Sequence, residues 1–125
     1  MKNAMIDWWR RRRWGHPRLD EVRWYETYAD LPEHLPRHQL AVIGEPQRPK
    51  WLVLECPCGN GHRLEVNLSR GRRPFWAVEL DPVPSVEPSI DLREPGRRCH
   101  FWLLGGRVRW TPDSDVLRRA SPEAH

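Results

Sequence analysis

The chain has 125 residues, the length of one domain with a flank at either end, so its core is modest in size. Its residues are 38% hydrophobic and 30% charged, and eight tryptophans supply large apolar bodies, which excludes an intrinsically disordered chain. Twenty-one basic against 17 acidic residues leave a net charge of +4, carried mostly by Arg10 to Arg13, and no apolar run approaches the ~20 residues that span a bilayer.

Residues 1–37 read as a basic, Trp/Arg-rich N-terminal segment in which Trp8, Trp9, Trp14 and Trp24 interleave with arginines. Its tryptophans precede its arginines and no h-region follows, the wrong order for a secretory signal, so a cytoplasmic protein is expected. A short helix is expected around Asp20 to Tyr28, and His16, His34 and His38 are expected to face solvent. From Gln39 the texture changes. QLAVIG and KWLVLE are compact apolar runs, read as buried strands, and HRLEVNL alternates in the manner of a half-buried strand. FWAVEL is a further strand, while Pro84 and Pro88 confine VPSVEPSI to an edge or an irregular segment.

CHFWLLGGRVRW reads as a hairpin turning at Gly105-Gly106, since glycine accepts the positive φ angles that a two-residue turn requires. The expectation is a mainly β domain over 38–112, a small antiparallel sheet or partly open barrel, with an irregular or short-helical N-terminal segment before it. Residues 113–125 read as a polar, frayed tail. Core placement is the default for Trp51, Trp76, Trp102 and Trp110.

Three cysteines in a reducing compartment point to metal ligation or reactive thiols rather than disulfides. In Cys56-Pro57-Cys58-Gly59-Asn60-Gly61-His62 the proline and glycines suit a tight metal knuckle. Cys99 arrives from the hairpin and completes three thiolates, a soft set that favours a structural Zn²⁺ staple. The fourth ligand is His62 or His100. Adjacent side chains on a strand point oppositely, which favours His62 and frees His100, unless Cys99 still lies in a loop.

LECPCGNGH, the Pro88-Ser89-Ile90 step and CHFWLLGGRVRW together resemble a family of small bacterial zinc-knuckle domains of long-unassigned function, over roughly residues 50 to 112. Members often carry a further cysteine in the knuckle, where this chain has Asn60. Some are encoded beside bacterial ubiquitin-like proteins and their E1- and E2-like enzymes. The resemblance implies a serine-dependent peptidase that processes or deconjugates a ubiquitin-like protein, with that protein and its E1/E2-like enzymes as partners. Carried over residue by residue, it makes Ser89 the nucleophile and His100 the general base, with Asp91 and Glu87 as candidate orienting acids.

Two other readings stand beside it. One is a non-catalytic zinc-ribbon-like adaptor that binds a ubiquitin-like protein or its conjugating enzymes, a reading that gains if His100 is on the metal and Ser89 is buried. The other is a small nucleic-acid binder using Arg10 to Arg13, Arg70, Arg72 and Arg73, although nucleic acid is not the expected partner, nor is a membrane. No GxSxG elbow is present, which excludes the common α/β hydrolase.

Overall fold

The computed structural model describes residues 17–116. The architecture is mainly β, as the short apolar runs and turn residues predict, but the strands form two open four-stranded sheets rather than one sheet or a barrel. The first runs in the order β1 (Glu21–Tyr25), β2 (Gln39–Glu45), β3 (Arg48–Glu55) and β4 (Arg63–Asn67). The second is β5 (Ala77–Glu79), β6 (Ser85–Glu94), β7 (Arg97–Leu104) and β8 (Arg107–Trp110).

β2 and β3 are continuous apolar runs because both of their faces are covered. Leu40, Val42, Leu52 and Leu54 enter a core shared with Val86, Ile90, Phe101, Leu103 and Val108 of the second sheet. Ala41, Ile43 and Val53 point the other way and are capped by Leu35, Leu31, Tyr25 and Trp51. The expected hairpin is present: Leu104 opposes Arg107 across Gly105 and Gly106, whose φ angles are 58° and 76°.

Two expectations are corrected. The helix around Asp20 to Tyr28 is absent. Glu21–Tyr25 is instead a strand that pairs in parallel with Gln39–Ile43, followed by one 3-10 turn at Tyr28–Asp30. Its backbone groups find partners on β2, and Leu19 just before it is fully buried, so tertiary pairing overrides the weak helical pattern. The Leu19 N–H also donates to the Gly106 carbonyl, so residues 17–25 touch both sheets and the fold begins before residue 38. VPSVEPSI is likewise not an edge. It opens β6, an inner strand, which accommodates Pro88 at a bulge. Arg10 to Arg13, Trp8, Trp9, Trp14 and His16 lie outside the described residues; His34 and His38 are exposed as expected. Among the described residues no helix is long and apolar enough to cross a membrane.

Candidate functional site

β7 alternates strictly: Cys99, Phe101 and Leu103 are buried, while His100, Trp102 and Leu104 emerge on the outer face. Cys99 therefore belongs to the strand, and strand parity turns it away from His100. Cys56, Cys58, His62 and Cys99 bring their ligand atoms within 4.8 Å of one another. The knuckle that does this follows β3 directly. The Cys56 N–H donates to the His62 carbonyl (2.8 Å) and the Gly59 N–H to the Cys56 carbonyl (3.2 Å), with Gly59 and Gly61 both at φ 82°.

The donor set fits a tetrahedral ion. Metal–sulfur bonds of about 2.3 Å imply ligand–ligand edges of about 3.8 Å, and Cys58 Sγ lies 3.7 Å from the His62 ring nitrogens. The Cys56 thiol donates to the Cys58 sulfur, which pulls Cys58 down to about 5 and pushes Cys56 well above the thiol range. Burial raises Cys99 to about 11. Arg97 Nη1 donates to His62 Nδ1 at 3.1 Å. A metal on either ring nitrogen ends that bond, because the other nitrogen then carries the proton. Four protein ligands leave no open position, so an ion here cross-links the end of β3 to β7 and thereby the two sheets.

The second constellation is on the other face of β7. Ser89 Oγ lies 2.8 Å from His100 Nε2, and His100 Nδ1 lies 2.9 and 3.2 Å from the two carboxylate oxygens of Asp113. Ser89 reaches this position through the β6 bulge. Val86 opposes Leu103 and Ile90 opposes Phe101, so Glu87, Pro88 and Ser89 occupy a stretch that Trp102 alone spans on β7. Parity is kept, so Val86 and Ile90 stay in the core and Ser89 and Asp91 share the face of His100. The Glu87–Pro88 bond is cis, and the Trp76 indole N–H donates to the Ser89 carbonyl at 3.1 Å.

Asp113 was not legible as a site residue, since it lies in what reads as a frayed tail. β8 has four residues against the eight of β7 and pairs only from Phe101 onward, so the backbone groups of Arg98 and His100 on that side have no partner from β8. Residues 111–115 supply them. The Thr111 N–H donates to the His100 carbonyl (3.0 Å), the Arg98 N–H to Asp115 (2.7 Å) and the Ser114 hydroxyl to the Arg98 carbonyl (3.3 Å), with Ser114 fully buried. Asp113 is thus pinned. The Thr111 hydroxyl donates to it, His100 faces it, and together they hold its carboxyl below the usual carboxylate range against desolvation.

Neither expected orienting acid is hydrogen-bonded to His100: Glu87 is exposed, and Asp91, though opposite His100 across the strands, is engaged by Arg98 (3.0 and 3.1 Å) and Arg93 (3.0 Å). The Arg98 guanidinium also reaches Asp113 at 3.1 Å, tying the two acids together. A carboxylate only accepts, so Asp113 fixes the proton of His100 on Nδ1 and leaves Nε2 free to accept from Ser89.

The family model for the bacterial ubiquitination-like system serine protease (BubE) matches residues 27–111, more than half of the chain. The match contains Ser89, His100 and all four candidate metal ligands, while Asp113 lies just beyond it. No curated protein and no solved structure matches the chain significantly. The chain belongs to the bacterial ubiquitination-like system serine protease family.

Proposed function

Starting from that membership, we propose that the protein is a cytoplasmic peptidase that processes or deconjugates a bacterial ubiquitin-like protein through Ser89, with His100 as base, Asp113 as orienting acid and a structural zinc ion on Cys56, Cys58, His62 and Cys99. The observation that carries this reading is the hydrogen-bonded row Ser89–His100–Asp113, at 2.8 and 2.9 Å.

His100 Nε2 takes the Ser89 proton as Oγ attacks the scissile carbonyl carbon, and the Nδ1–H bond to Asp113 steadies the imidazolium that forms. The C–N bond then breaks, and the leaving amine takes its proton from Nε2. Water deprotonated by the same nitrogen hydrolyses the ester and restores Ser89. Asp113 stays a carboxylate throughout, in keeping with the hydrogen bonds from Thr111 and His100 that lower its proton affinity. Zinc, when bound, supplies a cross-link that fixes β7 against the knuckle, on the face turned away from His100.

The adaptor reading would gain from His100 among the metal ligands and a buried Ser89; a cluster of Cys56, Cys58, His62 and Cys99 beside a half-buried Ser89 supports the peptidase reading instead. Incubation with a ubiquitin-like precursor or fusion from the same system, comparing wild type with Ser89→Ala, tests the proposal. Cleavage by wild type and its loss in the variant are expected; cleavage that survives the substitution would sink the serine mechanism.

A further inference from the structure

A groove of about 560 Å³ lies where the start of β3, residues 68–71 and the start of β5 meet. Arg48, Lys50 and Arg70 line it together with Leu68, Val78 and Trp76, and no aspartate or glutamate does. All three cations are exposed, and none forms an ion pair among the described residues. Uncompensated charge of one sign in a concave surface concentrates counter-charge there.

The loop that carries Arg70 is built to hold its shape. Asn67, only 7% exposed, donates to the carbonyls of Ser69 (3.1 Å), Arg72 (2.8 Å) and Pro74 (3.0 Å), and its own oxygen accepts from the Ser69 N–H (3.0 Å). A buried side chain satisfying four backbone groups fixes the path of a loop whose Arg70, Arg72 and Arg73 all face solvent. The groove also adjoins the dyad, because Trp76, one of its walls, donates its indole N–H to the Ser89 carbonyl.

We infer that this groove binds an acidic, extended segment of the polypeptide substrate and leads it toward Ser89, an inference that rests on the peptidase reading above. Arg48 and Lys50 both stand exposed at the start of β3, beside the register shift against β2, and both line the groove, so an acidic segment lying in it meets two cations from one strand. Among the described residues β5 pairs only with β6, so its other edge has no strand partner there and offers backbone hydrogen bonds to such a segment. Nucleic acid fits less well. Among the described residues Trp76 is the only aromatic side chain lining the groove, which gives successive bases a single stacking surface.

The test is fluorescence anisotropy on the Ser89→Ala protein with two labelled twelve-residue peptides, glutamate alternating with serine and its glutamine counterpart. The glutamate peptide should bind at least tenfold tighter. Arg48→Glu with Arg70→Glu should abolish that preference, whereas Arg23→Glu with Arg107→Glu, an equal change in net charge elsewhere, should leave it. Equal loss in both double variants, or tighter binding of a single-stranded oligonucleotide of matched charge, would overturn the inference. In the active protein the groove variant should raise KM for a cleaved substrate and spare kcat. Cleavage with KM unchanged refutes the groove alone, while groove-dependent peptide binding without cleavage of any precursor refutes the peptidase reading and leaves the groove.

Discussion

Asp113→Asn tests the site at its least obvious member. Asp113 receives two fixed donors besides His100: the Thr111 hydroxyl on Oδ1 and the Arg98 guanidinium on Oδ2. An asparagine has one oxygen for both. Arginine cannot accept, so the amide NH₂ cannot face it, whereas the Thr111 hydroxyl can rotate and accept. The NH₂ therefore takes the Oδ1 position, the one 2.9 Å from His100 Nδ1. Nδ1 must then accept, the ring proton moves to Nε2, and Nε2 can no longer take the proton of Ser89. A triad base held in the wrong tautomer loses about 10³- to 10⁴-fold in turnover. The expectation is a fall of that size in kcat with little change in KM, measured by cleavage of a ubiquitin-like fusion. Melting temperature and metal content should stay at wild-type values. Asp91→Asn, which removes a partner of Arg98 but breaks no hydrogen bond to Ser89 or His100, should cost less than tenfold. A loss below tenfold in folded Asp113→Asn would refute the orienting role.

Purified protein should carry about one equivalent of zinc by elemental analysis, and stripping it with a chelator should lower the melting temperature by at least about 10 °C, since a domain of this size loses roughly 4–8 °C per kcal/mol; less than half an equivalent counts against the site. Phe101 is fully buried and meets the Trp110 ring edge-on at 5.3 Å, so Phe101→Ala should cost about 3–5 kcal/mol in chemical denaturation, and a cost under about 1 kcal/mol would contradict its place in the core. Arg98 holds Asp91 below its ordinary pKa, so that pair's stabilisation is complete above the unfolded value of about 3.9 and fades as pH falls through the lower folded one. Wild type should therefore exceed Asp91→Asn in stability at pH 5 and converge with it well below pH 4; a difference that persists in acid would show that the ion pair is not its source.

How much of this was legible depended on how local the signal was. The hairpin and the knuckle were readable because glycine positions and alternating apolar residues act over a few neighbours, and the opposition of Cys99 and His100 follows from strand parity alone. β1 was misread as a helix because five residues with a weak pattern become a strand only when β2 lies alongside. The inner position of β6 was hidden by Pro88, which a bulge tolerates without ending the sheet. Asp113 was missed for a related reason. Nothing near it in sequence announces a partner; its placement follows from β8 being shorter than β7, a mismatch visible only once both strands are paired.

One strand thus does two jobs by alternation. The sulfur of Cys99 points inward to the knuckle, and the imidazole of His100 points outward to Ser89, so the peptide unit between them links staple and site. Such adjacency makes the metal a determinant of position rather than of chemistry. It can move His100 only by moving the backbone of β7, against a core that already fixes Phe101 and Leu103 at zero exposure. The same strand end is gripped from the other side by Thr111, Ser114 and Asp115. On the proposed roles, His100 would be located by two independent attachments, and Asp113 arrives with one of them. A chain of this size has little core with which to hold three side chains to within a few tenths of an ångström. The knuckle, with a metal bound, and the returning residues 111–115 would supply the rigidity that the core between the two sheets is too small to provide.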